Sequence, residues 1–245
     1  MPPSYPAGSY PAKVVADGAV AYWRLGETSG TTAVDVIGGA NGTISGGVTL
    51  GQSGALADAD KAMAFDGTTG TILTAASITL PVTCTLELWI KTTDARLNTT
   101  LLSNRFIVQD GIVGIFVNSS GGLFIDSYQG TNNVISSVPV VTDGIWHHVV
   151  WTNNGSLGTV YIDSQLTISQ AQPHTSLAAP FQIAFDTFQG LYLNSTIDEV
   201  AIYPTALTAP QIAAHYAAKD WTAFGPAYQE MRYRWCRYVA GQVRR

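Results

Sequence analysis

The sequence predicts an all-β protein built as a two-sheet sandwich or a barrel. Three observations carry that prediction. Between about residues 14 and 205 the chain is a series of short apolar runs, among them "AVAYWRL", "KAMAFDG", "TCTLELWIK", "GIVGIFV", "GLFIDSY", "IWHHVVWTN", "GTVYID", "FQIAF" and "STIDEVAIY", divided by Gly, Asn and Asp. No helical period of useful length runs through them. The composition agrees: 46% apolar residues supply a core while only 12% are charged, so solubility rests on Thr, Ser, Asn, Gln and Gly, a mixture that favours strands. At 245 residues the length suits one large sandwich or two small domains, and does not decide between them.

Taken in order, residues 1–13 interleave Pro2, Pro3, Pro6 and Pro11 with Tyr5 and Tyr10, which predicts an extended arm with neither helix nor central strand. Residues 14–218 form the sandwich domain. At its end "LTAPQIAAHYAAK" signals a short helix, with Thr208 as N-cap, Gln211 completing a capping box, and Pro210 in the first turn where a missing N–H costs nothing. Ile212, Tyr216 and Leu207 would face the sandwich. Residues 219–245 are a different kind of segment: beyond a break at Gly225-Pro226, "AYQEMRYRWCRYVAGQ" predicts a second helix in which arginines and aromatics alternate, the composition of a docking surface.

The net charge of −5 argues against nucleic acid, because phosphate binding needs a basic surface. Its distribution is uneven. Residues 1–220 hold seven Lys/Arg against sixteen Asp/Glu, whereas 221–245 hold five Arg against Glu230 alone. No apolar stretch reaches the roughly 18–20 residues of a membrane helix. The opening "MPPSYPAGSYPAK" lacks the basic and apolar regions of a signal peptide, so synthesis in the cytoplasm without Sec export is expected. The two cysteines, Cys84 and Cys236, lie in unlike segments and form no zinc-binding cluster.

The adjacent histidines in "DGIWHHVVWTNNGSLGTVYID" raise the question of a metal or catalytic pair. A strand sends neighbours to opposite faces, so Trp146, His148 and Val150 share one face and Ile145, His147, Val149 and Trp151 the other. The imidazoles then point apart and cannot share a metal, and no HExxH spacing exists. One histidine is expected between the sheets, hydrogen-bonded, and the other on a half-exposed face.

The same stretch resembles the "W-H-H-V-x…G…Y-x-D-G" hairpin of laminin G-like domains of the concanavalin A-like lectin and glucanase superfamily. Three further stretches agree in order: "AVAYWRLGETSGTTAVDVIGGANGTI", "AMAFDG" with "CTLELWIK", and "STIDEVAIYPTALTAPQIAAHY". Together they span residues 19–216. The resemblance implies an antiparallel jelly-roll sandwich, here with a short C-terminal helix and extended terminal arms.

Relatives that hydrolyse glycosides carry an E-x-D-x-x-E set on one strand. Here Glu87 in "TLELWIKTTD" is followed by Trp89 and Thr92 where that pattern has Asp and Glu. Glycoside hydrolysis generally needs two carboxyl groups flanking the bond. Asp198-Glu199 is the other close pair, and regular alternation would aim the two at opposite faces. A non-enzyme is therefore expected; a glycosidase would require activity that Glu87→Gln destroys. No motif requires a cofactor. The resemblance allows calcium, with Asp35, Asn41 and Asp198 as oxygen ligands, while the turn-forming Gly38, Gly39 and Gly42 also give Asp35 and Asn41 a plain role in the loop.

Carbohydrate binding is the expectation inherited from lectin-like relatives, with Tyr128, Asn132, Asn133 and Phe188 in loops "DSYQGTNN" and "DTFQG" as candidates; each also suits a packed rim. The opening "YPAGSYPAKVVADGAVAYWRLGETSGTTA" is similar to that of laminin G-like proteins encoded among the tail genes of actinobacterial phages. That implies a non-enzymatic virion protein, a minor tail or tail-tip component in multiple copies, which meets a host-surface glycan. Other virion proteins would dock through Tyr5 and Tyr10 at one end and Arg232, Tyr233, Arg234, Trp235 and Arg237 at the other. A capsid decoration protein and a free bacterial carbohydrate-binding or adhesion module are the alternatives.

Overall fold

The structure, a computed structural model, describes residues 4–105, 110–136 and 139–221. Two antiparallel sheets face each other, as the strand pattern predicts. The back sheet runs in the order Gln165–Ala171, Leu157–Ile162, Trp146–Asn154, Thr83–Lys91, Asn194–Tyr203, Lys61–Asp66 and Val48–Ser53, with Ala21–Trp23 paired to Asn194–Tyr203. The front sheet runs Asn132–Ser136, Leu123–Tyr128, Val113–Val117, Thr100–Ser103, Gln182–Ile183, Thr71–Thr74, Gly42–Ser45 and Thr32–Ala33. Strands distant in sequence are neighbours in both sheets, the connectivity of a jelly-roll sandwich.

Alternation divides each strand between two environments. In Thr83–Lys91 the residues Cys84, Leu86, Leu88 and Ile90 enter the layer between the sheets, while Glu87 and Trp89 point to the outer face of the back sheet. In Trp146–Asn154, Val149 and Trp151 point inward and His148 and Val150 outward. Cys84 is a free thiol inside the core; Cys236 lies outside the described residues. Among the described residues no helix is long and apolar enough to cross a membrane.

Two helices close the outer face of the back sheet. The C-terminal helix Ala209–Ala217 forms as predicted: Gln211 Oε1 accepts the Thr208 N–H at 2.9 Å, and Ile212 and Leu207 are buried. The other helix corrects the expectation of an extended arm. Residues Tyr10–Ala16 are helical, because Pro11 occupies the first turn, where its fixed φ suits a helix, and Ser9 Oγ accepts the Ala12 N–H at 3.4 Å as N-cap. Tyr10 and Val14 are buried on the sheet.

Beneath both helices lies Glu87, with no exposed surface. A lone carboxylate there would be very costly. Donors from four other segments surround it: Tyr10 Oη at 2.8 Å and His148 Nε2 at 2.6 Å on Oε1, Tyr203 Oη at 2.6 Å on Oε2, and His215 Nδ1 at 2.9 Å on Oε1. The second nitrogen of His215, Nε2, meets Asp17 Oδ2 at 2.9 Å, so with a carboxylate at each nitrogen this ring is held as the imidazolium. Burial would raise the Glu87 carboxyl, but the His215 charge and the hydrogen bonds from both histidines hold it well below the usual carboxylate range.

The histidine pair is thereby accounted for, with one correction. His147 and His148 do point apart, yet both are buried and hydrogen-bonded: His148 lies between sheet and helices, not between the sheets. His147 sits at the strand entrance between Asp163 Oδ2 at 2.7 Å and Asp143 Oδ1 at 3.1 Å. Tyr10→Phe tests how far the N-terminal helix is tied to this centre. Loss of one hydrogen bond to a buried ionised carboxylate should lower the unfolding free energy by about 1.5–3 kcal/mol in urea titrations; a change within about 0.5 kcal/mol would show that Tyr10 does not hold it.

Candidate functional site

No helix covers the outer face of the front sheet among the described residues. In Leu123–Tyr128 the core takes Leu123 and Ile125, which turns Phe124, Asp126 and Tyr128 outward. Asn132 stands opposite Tyr128 and Val134 opposite Asp126, so both belong to this face. Asn133 does not. It pairs with Ser127, its side-chain amide donates to Thr131 O, and its carbonyl accepts from Gln172 Nε2 at 2.8 Å, the packed rim role.

Phe188 joins the face from a small hairpin, Phe185–Asp186 against Leu191–Tyr192, and is 48% exposed. Its ring is backed by Arg105, whose guanidinium lies 5.1 Å from the Phe188 centroid and 5.2 Å from that of buried Phe116. Phe116 in turn stacks on Phe124 at 4.8 Å. Two carboxylates flank the guanidinium: Asp126 Oδ2 is 3.2 Å from Nη1, and Asp186 Oδ2 is 3.9 Å from Nε. Ser103 Oγ donates to Asp186 at 2.8 Å, and the Gln189 N–H donates to its other oxygen at 3.0 Å, which fixes the hairpin on the sheet. Burial raises the Asp126 carboxyl, Arg105 opposes that, and Asp186 adds to it, leaving a net rise.

Of the four residues expected to bind carbohydrate, Tyr128, Asn132 and Phe188 therefore share a face. Arg105, Asp126, Asp186 and Phe116 were missed. Their separations in sequence leave no local signal; the one hint available was a solitary arginine within a long apolar and neutral stretch. Two shallow concavities of about 210 and 310 Å³ meet elsewhere on the rim at Thr93 and Asn194. Their walls hold no aromatic ring, so they offer no stacking surface.

The calcium expectation meets a different geometry. Asp35 accepts the N–H groups of Tyr22, Ile37 and Gly38 on Oδ1 and of Ala40 on Oδ2, and Asn41 Oδ1 accepts the Asp35 N–H. These are the bonds of a loop-building pair. Asp198 shares none of those partners; it accepts the Ala55 N–H at 2.9 Å. The three residues do not fit one ion, and no group of three or more His, Cys, Asp and Glu among the described residues is arranged to hold one.

Asp198 and Glu199 depart from strict alternation. A bulge between Asp198 and Ala201, with Glu199 at φ 54°, leaves Ile197 and Val200 in the core and turns both carboxylates to the outer face of the back sheet. There Glu199 accepts from Tyr22 Oη and from Arg24 Nη2 at 2.8 Å, and Arg24 also pairs with Asp58 and Asp60 at 2.9 and 2.7 Å. One guanidinium thus serves several acids. Burial outweighs it and raises the Glu199 carboxyl to about 7. Of the expected docking residues, Tyr5 lies under the Arg24 guanidinium at 5.5 Å and Tyr10 is buried; Arg232, Tyr233, Arg234, Trp235 and Arg237 lie outside the described residues.

A laminin G-type model of the concanavalin A-like lectin/glucanases superfamily matches residues 65–213, and the chain belongs to that superfamily. No curated protein matches it by sequence. Among solved structures, domain 4 of AbnA, a GH43 extracellular arabinanase from Geobacillus stearothermophilus in complex with arabinotriose, superposes with a TM-score of 0.63 at 18% identity, over 81% of this chain and 98% of that one. The binding domain of Paraclostridial Mosquitocidal Protein 1 gives 0.63 at 15% identity, over 83% and 52%. The botulinum neurotoxin serotype D ligand binding domain in complex with N-acetylneuraminic acid gives 0.61 at 15%, over 84% and 53%. The chain spans about half the length of these two toxin domains, and the likeness is one of fold.

The raised Glu199 carboxyl makes a prediction about pH. A carboxyl that titrates near 4.5 when unfolded and about 7 when folded contributes stability in acid that is lost as pH rises between those values. Glu199→Gln removes this titration. The variant's unfolding free energy relative to the parent should rise from pH 4.5 to 7 and then level off, as read by denaturant titrations across that range.

Proposed function

We propose that this protein is a non-catalytic glycan-binding module whose front sheet meets the sugar around Phe188, Tyr128 and Asn132. The observation that carries the reading is the half-exposed Phe188 ring, with the buried Arg105 guanidinium 5.1 Å from its centroid beside two carboxylates. Such a site combines an apolar surface with a few fixed polar groups, the composition of small-molecule sites. Likeness in fold to domains crystallised with arabinotriose and with N-acetylneuraminic acid supports the same class of ligand.

Catalysis is the weaker reading for a physical reason. A glycosidase needs one accessible carboxyl to give a proton and a second to attack or to activate water. Glu87 is enclosed, ionised and occupied by four donors, and Asp198 and Glu199 are buried against Arg24 and its neighbours. Glu87→Gln should accordingly alter stability and not a hydrolytic rate.

Within this reading we place the module on a bacteriophage particle, as a minor tail or tail-tip component attaching to the host surface. Support comes from the opening stretch, residues 5–33, and from the basic aromatic segment 221–245, suited to docking on other virion proteins. Deleting 221–245 should abolish incorporation into particles while the sandwich keeps its melting temperature; unchanged incorporation would favour a free bacterial binding module. Phe188→Ala should weaken retention on a glycan array at least about tenfold, the cost of losing an aromatic contact of about 1.5 kcal/mol. Undiminished retention would move the site off this face.

A further inference from the structure

The front-sheet site contains more than a stacking surface. Arg105 and Asp126 are 5% and 4% exposed, and each keeps an atom without a partner: Arg105 Nε, a donor, and Asp126 Oδ1, an acceptor. Buried polar groups are rarely left so, since each open donor or acceptor costs about 1–3 kcal/mol. The 3.9 Å between Arg105 Nε and Asp186 Oδ2 is too long for a hydrogen bond. An open donor and an open acceptor on the two members of one ion pair suit hydroxyl groups, which can both accept and donate. The Phe188 ring lies against this cluster at the tip of a hairpin whose strands are two residues each, with Gly190 at φ 67° in the turn.

The charges are unequal. Asp126 and Asp186 face one guanidinium, and Asp110 adds a third carboxylate beside Tyr128, where it accepts the Gly130 N–H while the neighbouring Gly111 N–H donates to Tyr128 O. Arg96, the other described cation near the hairpin, donates to Tyr192 O and is already paired to Asp94 at 2.6 Å. The face therefore carries a net negative charge around the open Arg105 Nε and Asp126 Oδ1.

We infer that this site selects uncharged sugars and rejects acidic ones: the apolar side of the sugar ring packs on Phe188, while adjacent hydroxyls bond Arg105 Nε and Asp126 Oδ1 as the hairpin tip yields. A carboxylate on the sugar would satisfy Arg105 but leave Asp126 Oδ1 open and face the Asp126 and Asp186 carboxylates across a few ångströms. That repulsion corresponds to about a tenfold loss of affinity or more. This inference rests on the proposed glycan-binding function and narrows it.

The test uses the full chain on an array that holds each neutral glycan beside its sialylated or uronate counterpart, read at low and at high salt. The expected result is retention of neutral glycans, acidic counterparts at least about tenfold weaker, a neutral signal that salt does not change, and a gap between the two classes that salt narrows. Asp126→Asn, a near-isosteric change whose folding is checked by its melting temperature, should narrow the same gap. Acidic glycans retained as well as or better than neutral ones would overturn the selectivity while leaving glycan binding in place. Retention of neither class would overturn the binding function itself.

Discussion

The buried Glu87 carboxylate is the constraint on which the architecture turns. A charge at that depth is tolerable only if several donors reach it together, and none of them is local: Tyr10, His148, Tyr203 and His215 come from the N-terminal helix, two other strands and the C-terminal helix. Removing any one segment would leave the rest around a poorly compensated charge. The two helices therefore belong to the sandwich as much as its strands do. They cover the outer face of the back sheet, while among the described residues no helix covers the front one.

A second network continues this polar layer along the same face. Glu199 and Leu25 both adopt left-handed backbone conformations, which cost non-glycine residues about 1–3 kcal/mol each. The bulge at Glu199 is held in place by what it permits, namely that its carboxylate reaches both Tyr22 and Arg24. Arg24 then extends the connection to Asp58 and Asp60 on the loop that precedes Lys61–Asp66. The back of the protein is thus knitted by ionic hydrogen bonds where the front-to-back core is knitted by aliphatic packing.

What could be read in the sequence follows from the range of each interaction. Strand alternation and the Thr208–Gln211 box are local, so the sandwich and the C-terminal helix were legible. The N-terminal helix was misjudged because prolines weighed against it, although Pro11 falls where a helix accepts proline and Ser9 supplies a cap. Asp198 and Glu199 were assigned opposite faces because alternation presumes an unbroken ladder, and one inserted residue inverts it. Tyr128, Asn132 and Phe188 were legible as polar and aromatic loop residues. Arg105 and Asp186 were not, because they meet only after strand Thr100–Ser103 and the strand Gln182–Ile183 pair.

The same pairing links the interior to the candidate face. The hairpin that presents Phe188 runs directly into Asn194–Tyr203, the strand anchored through Glu199 to Arg24 and through Tyr203 to Glu87. Its root is therefore among the most firmly held parts of the chain, while its tip remains half exposed. A firmly held root lowers the ordering cost of any contact made through the exposed ring. The buried charges of the back sheet thus hold the root of the hairpin, and its tip is the half-exposed part.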